Sequence, residues 1–420
     1  MSRLDDLINE YCPEGVEYVK IGDVCDTVTD YVAAGSFAEL SKRVKYINTP
    51  DYALLVRTMD LKSNFTKGNL VYIDKNAFKF LWRVNLNKDA IILPNIGNCG
   101  EVYYVEANKL PYEHSVLAPN AILLRTTKHN LKFISYALET YYFQKQLTKI
   151  ISPTGQKKFN KTDLKNLKIP LPPLPVQEEI VRILDTFTEL TTELTTELTL
   201  RKKQYEYYRD GLLKFGEEVE YKKIGDFTNV FTSARAYNHQ WTDKGIPFLR
   251  SSDIISFFNG VENPRGKAYI TEDLYNELSS KSGKIHKGDL LITSGGTIGI
   301  PYIVETDEPI YIRDGDLFCI QKNDTVLIEF LYHYFLSTQF KNYVSSIKHG
   351  STIAHYTINQ VKNTPIPVPA IERQKEILSI LKKFDTLNCS ILYGLPAEIE
   401  LRNKQYEYYR DKLLSFKEKR

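Results

Sequence analysis

RKKQYEYYRDGLLKF occupies Arg201–Phe215, and RNKQYEYYRDKLLSF occupies Arg402–Phe416. Twelve of the fifteen positions agree, at an offset of 402 − 201 = 201 in a chain of 420 residues. The agreement extends outward. Leu164–Ile180 reads LKNLKIPLPPLPVQEEI and Val361–Ile377 reads VKNTPIPVPAIERQKEI. At the head of each half, VEYVKIGDV (Val16–Val24) matches VEYKKIGDF (Val219–Phe227). A period near half the chain means two copies of one unit, not a solenoid of short repeats. Each copy is a globular stretch followed by a helical one. The helical parts are nearly the same and the globular parts have diverged, which suits a molecule that reads two different things with one frame.

Composition sets wide bounds. With 42% hydrophobic and 25% charged residues, an ordinary globular protein is expected. A net charge of +3 permits nucleic-acid binding without demanding it. Tyrosine, at 29 residues against two Trp, dominates the aromatic set and suits contact surfaces that are sometimes wet. Five cysteines, odd in number and without C-x-x-C spacing, argue against zinc and against a disulfide framework. The opening MSRLDDLINEY has no apolar core and no run of 18 apolar residues occurs, so no membrane association and a cytoplasmic location are expected.

In the first copy Ala90–Leu93, Val102–Val105 and Ala121–Leu124 read as strands, and Leu131–Gln146 as one amphipathic helix. The second copy repeats the order with Asp289–Thr293, Tyr302–Val304, Leu317–Ile320 and a helix over Leu327–Tyr343. The prolines of Ile169–Pro175 and Ile366–Pro369 predict extended connectors that break regular structure. A long helix follows each. Ile180, Ile183, Phe187, Leu190 and Leu194 are spaced 3, 4, 3, 4, the a/d seam of a coiled coil. Leu198 comes four residues on, a stutter, and the seam resumes at Tyr205, Tyr208, Leu212 and Phe215. Without proline from Val176 to Phe215, one helix of ~60 Å is possible. The second seam holds Ile377, Ile380, Phe384, Leu387 and Ile391, then Tyr406, Tyr409, Leu413 and Phe416 beyond an expected break at Gly394-Leu395-Pro396. Two seams most simply pack on each other; otherwise each helix packs on its own globular stretch. TELTTELTTEL (Thr188–Leu198) is a tetrad repeat of mediocre helix formers, readable as a length-setting device or as tolerated slippage.

Catalytic constellations are not evident. Asn48-Thr49-Pro50-Asp51-Tyr52 is only distantly similar to the Asn-Pro-Pro-Tyr loop of adenine-N6 methyltransferases and reads as a turn. Ser294-Gly295-Gly296-Thr297-Ile298-Gly299 follows a strand but lacks the Walker Gly-Lys-Ser/Thr. Its counterpart is Asn95-Ile96-Gly97-Asn98-Cys99-Gly100. Each is either a turn requiring φ > 0 or a donor of backbone N–H groups to DNA phosphate. The stretch TGQKKFNK before the first connector sets Gln156 beside Lys157, Lys158 and Lys161, residue types that pair with base edges and phosphates. Its counterpart HGSTIAHY supplies His349, Ser351, Thr352 and His355. A solvated loop is the alternative.

These features together resemble the specificity subunit of a Type I restriction–modification enzyme. The resemblance rests on two diverged domains, each ending in a Pro-rich connector, and on long helices ending in KQYEYYRD; it covers the whole chain. It implies an α+β fold: two β-rich target-recognition domains related by a pseudo-two-fold axis, joined by two long antiparallel helices forming a coiled coil. The expected division is 1–170 and 217–367 for the recognition domains, and 171–216 and 368–420 for the helices. Each domain is expected to read one half of a bipartite, asymmetric double-stranded DNA target. Arg57, Asn95, Gly97, Asn98, Gln156, Lys157, Lys158 and Lys161 in the first copy are expected to face DNA. Arg250, Ser251, Ser294, Gly295, Gly296, Thr297, His349, Ser351, Thr352 and His355 are their equivalents in the second. Gln204, Tyr205, Tyr208 and Arg209, with Gln405, Tyr406, Tyr409 and Arg410, are expected to dock two methyltransferase subunits. Two restriction–translocation subunits complete the implied complex. No cofactor is expected on this chain; S-adenosylmethionine, ATP and magnesium are implied on the partners.

Between the matching Phe and Arg anchors the first helix spans 201 − 187 = 14 residues and the second 402 − 384 = 18, so the two halves differ by one tetrad. Two other readings remain: a coiled-coil adaptor that binds only protein, and a fused DNA methyltransferase, for which a donor-binding Gly loop is missing.

Overall fold

The computed structural model describes residues 3–153, 155–259, 268–347, 356–388 and 394–419, with 385–388 described by backbone alone. The chain forms two compact units. One comprises Met1–Thr192 with Glu400–Arg420, the other Glu193–Ile399. Each long helical segment is thus divided between the two units.

In the first unit a four-stranded antiparallel sheet runs Thr27–Asp30, Ala121–Arg125, Ala90–Pro94, Tyr103–Val105 in spatial order. A three-stranded sheet runs Tyr72–Ile73, Ala53–Val56, Ser115–Leu117, its last pair parallel. The second unit repeats both. Its four-stranded sheet runs Val230–Phe231, Leu317–Ile320, Leu290–Thr293, Pro301–Ile303. Its three-stranded sheet runs Ala268–Ile270, Ile246–Leu249, Tyr311–Ile312, again with one parallel pair. The strands expected from sequence are therefore present, within a residue or two at their ends.

These strands read as unbroken apolar runs because both faces of the sheet are covered. Successive side chains point to opposite faces. Ile91, Leu93, Ile122 and Leu124 enter one core, with the helices, while Ala90, Ile92, Ala121 and Leu123 enter a second, with the three-stranded sheet. In the second unit Leu290, Ile292, Phe318 and Ile320 face the helical core and Leu291, Leu317 and Cys319 the other.

Two expectations need correction. The helix expected over Leu131–Gln146 is two helices, Leu131–Glu139 and Tyr141–Ile150. Thr140 separates them in an extended conformation (ψ 148°), and its Oγ1 accepts from Phe143 N. Likewise Ile328–Leu336 and Thr338–Ile347 replace the single helix over Leu327–Tyr343, with Ser337 Oγ accepting from Phe340 N. Hydrophobic periodicity passes through such a break because the hydroxyl offers the backbone an alternative partner without interrupting the apolar pattern. The connectors, expected to break all regular structure, begin as edge strands and only then run on without regular structure. Lys168–Pro170 pairs antiparallel with Tyr18–Lys20, and Pro365–Pro367 with Tyr221–Lys223. Proline is tolerated there because an edge strand leaves positions whose N–H is not needed.

The repeated residues around the connectors now have reasons. Gln177 is buried at the head of the long helix; its Oε1 accepts from Asn130 N (3.0 Å) and its Nε2 donates to Pro172 O (2.7 Å). Gln374 does the same, accepting from Leu327 N (2.8 Å) and donating to Pro369 O (2.8 Å). The shared I-G-D brings backbones close. A Cβ on Gly22 would lie 3.1 Å from Lys165 Cβ, and one on Gly225 3.2 Å from Lys362 Cβ.

The long helix Leu174–Leu212 is continuous for 39 residues, as expected. On the other strand of the repeat, Ile371–Asn388 and Leu395–Leu413 are helical, and Ile391 lies outside the described residues. Both packing alternatives hold, at different residues. Val176, Ile180, Val181 and Leu184 enter the core of their own globular stretch. Phe187 stacks on Tyr409 (centroids 5.3 Å apart) in the first unit, and Phe384 on Tyr208 (5.5 Å) in the second, the crossed order of an antiparallel pair. Within the tetrad run, Thr188, Thr191 and Thr192 donate back to the carbonyls four residues earlier.

Helix ends close each unit. Arg209 is buried over the Tyr205 ring (5.2 Å) and bonded to Asp210. Asp210 in turn accepts from Thr338 N (3.2 Å), at the start of Thr338–Ile347. In the first unit Arg410 lies over Tyr406 (5.5 Å), and Asp411 accepts from Tyr141 N (3.1 Å) at the start of Tyr141–Ile150. Asp at a helix N-terminus satisfies free donors and complements the helix dipole. The tyrosines find different partners: Tyr205 Oη bonds His333 Nδ1 (2.8 Å), whereas Tyr406 donates to Glu139 Oε2 (2.9 Å). Val16 N donates to Lys417 O (2.8 Å) and Lys419 N to Val16 O (3.0 Å), tying the head of the first unit to the segment that follows its last helix.

Gln177→Ala or Gln374→Ala leaves a helix-capping N–H and a connector carbonyl unpartnered. Each should cost about 1–3 kcal/mol, read as a lowered thermal midpoint. His333, buried and beside Arg209, is pushed down to about 4. The native state therefore favours the neutral ring. Its contribution is fully present above the unfolded value of ~6.5 and is lost as pH falls toward 4, at roughly 1.4 kcal/mol per pH unit. The fall in melting temperature between pH 7 and 4.5 should accordingly be shallower in His333→Gln than in the parent.

Candidate nucleic-acid interface

The two stretches expected to face DNA in the first copy lie together. Asn95–Gly100 follows the strand Ala90–Pro94 and is joined to the pre-connector stretch by a bridge between Ile96 and Lys158. Gly97 N donates to Lys157 O (2.8 Å) and Phe159 N to Asn95 O (3.1 Å). The second copy uses the same joint: Tyr356 N donates to Ser294 O (2.8 Å). His349, Ser351, Thr352 and His355 lie outside the described residues, as does Thr154.

The Gly turns are held by backbone geometry. Gly97 (φ +85°), Gly100 (φ +108°), Gly296 (φ +68°) and Gly299 (φ +79°) occupy the left-handed region that favours glycine. At Gly299 a Cβ would also come 2.2 Å from the Phe340 ring. Neither the Gly97 nor the Gly299 N–H is available to a ligand: the first is spent on Lys157 O (2.8 Å) and the second on Thr293 O (2.8 Å).

The remaining expected residues divide into exposed and committed. Asn98, Gln156, Lys157 and Lys158 are exposed, as are Gly296 and Thr297. Lys161 pairs with Asp30 (3.1 Å). The Arg57 guanidinium is forked onto Asp60, at 2.9 and 2.6 Å, and reaches Asn69 O (2.8 Å). Arg250 repeats this on Asp253, at 3.3 and 3.4 Å. Both arginines are local clamps that fix the turn after a strand. Ser251 and Ser294 are buried, donating to Asp316 O (2.5 Å) and Gly315 O (2.5 Å), and Gly295 is buried with them.

On the helices, Tyr205 and Arg209 are buried within the second unit, and Tyr406 and Arg410 are half-buried within the first. Tyr208 and Tyr409 are partly exposed beside their phenylalanine partners. Gln204 and Gln405 are exposed and accept from Arg201 (3.3 Å) and Arg402 (3.1 Å). The residue of this motif that the helical seam did not single out is the middle tyrosine. Tyr207 is 77% exposed and Tyr408 60%. Tyr408 borders a shallow concavity with Lys404, Glu407, Asp411, Lys412 and Ser415. Its off-seam position was the available signal.

Sequence reading also missed a groove of about 510 Å³ beside Asn95 and Ile96, walled by Val32, Phe37, Leu40 and Tyr46. Tyr52, of the loop distantly similar to a methyltransferase motif, is packed against His114 (4.7 Å) and Phe78 (5.5 Å). Among the described residues no group of three His, Cys, Asp or Glu is placed to hold a metal ion, and no helix is long and apolar enough to cross a membrane. Cys12, Cys25, Cys99 and Cys319 are free thiols.

Known proteins fit this doubled architecture. A type I restriction enzyme specificity subunit of Haemophilus influenzae is 39% identical over 269 residues, 62% of this chain and 66% of that protein. The EcoR124I/EcoR124II specificity subunit of Escherichia coli is 35% identical over 262 residues, 60% of this chain and 63% of that protein. The matches thus span just under two thirds of these relatives. A solved chain described under complex assembly and conformational transition of the type I R-M system is similar in fold, with a TM-score of 0.55 at 15% identity, over 96% of this chain and 98% of that one. The profile of the type I restriction modification DNA specificity domain matches twice, at residues 13–201 and 216–401, once per copy of the repeat. The chain belongs to this family of type I restriction modification DNA specificity domains.

Proposed function

We propose that this chain is the non-catalytic DNA-specificity subunit of a type I restriction–modification complex. In this reading each unit reads one half of a bipartite, asymmetric double-stranded DNA target. The observation that carries it is one sheet topology built twice, with divergent sequence on its turns and near-identical sequence on its helices. Divergent turns on a common frame can present different side chains to different bases while keeping one orientation on the duplex. Exposed Lys157 and Lys158 beside the first Gly turn suit phosphate contacts.

The exposed, repeated helix face is the docking surface for two methyltransferase subunits. A partner present twice requires the same surface twice, and Tyr207 and Tyr408 meet that requirement. Tyr is enriched in such contacts because its ring buries apolar area at low entropic cost while its hydroxyl stays paired. S-adenosylmethionine belongs to those partners, and ATP with magnesium to two restriction–translocation subunits. The location that follows is the cytoplasm.

Binding of the assembled complex to its target should weaken linearly with the logarithm of salt concentration, since phosphate contacts release counterions. An adaptor that binds only protein would show no such slope. Tyr207→Ala with Tyr408→Ala should reduce recovery of the methyltransferase partner at least tenfold with an unchanged melt. Tyr205→Ala or Tyr406→Ala should instead lower the melt, because each removes a tertiary contact within one unit.

The tetrad run sets the distance between half-sites. One more TTEL after Leu198 lengthens a helix by ~6 Å. That is about one to two base pairs at ~3.4 Å each. Mapping methylated sites genome-wide should return both half-sites unchanged and a longer nonspecific spacer; an unaltered spacer at full activity would sink this role for the run.

A further inference from the structure

The first unit carries a groove absent from the repeat signature. The helix Phe37–Arg43 is set by a capping box between Ser36 and Glu39 and forms one wall. In the second unit the segment after Val230–Phe231 holds a short 3-10 turn, Asn238–Gln240, before the next strand. The groove therefore belongs to what differs between the two copies, as a reading element must.

Its lining is mainly apolar, with Asp30 and Asn95 among it, and exposed cations lie close by in sequence. Phe37 is 80% exposed and Tyr46 55%, an unusual placement for two large rings on one surface. Lys42 and Lys45 are exposed and flank groove-lining Ser41, Val44 and Tyr46 in sequence, while the exposed Arg43 lies over the Phe80 ring (4.9 Å). Lys157 and Lys158 are also exposed, and Lys158 bridges Ile96, which lines the groove. Asp30, which lines the groove, is paired with Lys161 (3.1 Å), and the Glu39 carboxylate accepts from Ser36 N (3.3 Å). Exposed cations close to an apolar trough complement a polyanion that offers an apolar group. In duplex DNA that group is the thymine C5-methyl, which stands in the major groove and is read by apolar contact.

We infer that the Phe37–Tyr46 groove is the base-reading surface of the first unit, taking a thymine methyl of one half-site between the two rings while the lysines hold the flanking phosphates. The inference rests on the DNA-specificity reading above. It adds Phe37 and Tyr46 as specificity-determining residues, neither of which the repeat or the basic stretches single out.

The test uses the full chain in complex with its methyltransferase partner, on duplexes carrying the site found by methylome mapping. Each thymine is replaced in turn by uracil, which lacks only the methyl. In the parent complex one thymine in one half-site should be sensitive, with affinity falling about fourfold, the worth of one buried methylene. In Phe37→Ala, affinity should fall about tenfold and that uracil substitution should have no further effect, the non-additivity expected of groups in contact. Tyr46→Phe keeps the ring and should keep the uracil effect. The other half-site should be read normally throughout. Sensitivity to uracil that persists undiminished in Phe37→Ala overturns the groove while leaving the DNA-specificity reading in place. So does a variant that binds DNA normally but loses its partner, since the groove would then be a protein interface. A parent complex that binds no DNA overturns both.

Discussion

An aspartate at the end of one helix receives the first N–H of another, and each unit closes through that contact. Asp411 does this at Tyr141 and Asp210 at Thr338. Burial pushes the Asp210 carboxyl up, but hydrogen bonds from Thr338 and the neighbouring Arg209 hold it below the usual carboxylate range. The contact needs three things at once: a break in the preceding helical pair, an arginine held over a tyrosine ring, and a carboxylate one residue further on. The break comes from Thr140 or Ser337, the rest from Tyr-x-x-x-Arg-Asp. This explains why YEYYRD is identical between halves whose globular parts differ. The motif has an inner face, which holds the unit together, and an outer face, which is exposed.

That division also explains what could be foreseen. The strands were legible because both faces of the four-stranded sheets are covered, so Ala90–Leu93 and Leu290–Thr293 read as unbroken apolar runs. The long helix was legible from its seam and from the absence of proline. The breaks at Thr140 and Ser337 were not, because a hydroxyl that caps the next helix leaves the apolar spacing intact. The connectors were expected as extended chain but not as strands, since pairing with Tyr18–Lys20 or Tyr221–Lys223 joins residues about 150 positions apart.

Functional residues followed the same logic. The Gly turn and the lysine stretch were each visible in sequence, and their joint through Ile96 and Lys158 was not. Arg57 and Arg250 looked available for bases, yet an acidic residue three positions later claims each one. The groove was invisible for a simpler reason. Val32, Phe37 and Tyr46 are ordinary apolar residues until a helix and a loop leave them uncovered.

The exchange of helices between units has a consequence for how such a chain can arise. In the second unit the passage from Phe215 to Val219 is peptide bonds; in the first the same passage, from Phe416 to Val16, is made by hydrogen bonds between Val16 and residues 417 and 419. One junction is covalent and its twin is not, yet both build the same corner. Two chains of a single copy could therefore assemble the same frame by reciprocal exchange of helix ends. Duplication followed by fusion converts such a homodimer into one polypeptide whose two heads are free to diverge. The differing partners of Tyr205 and Tyr406, an imidazole and a carboxylate, record that divergence at the hinge of the exchange: each helix end has become fitted to one socket.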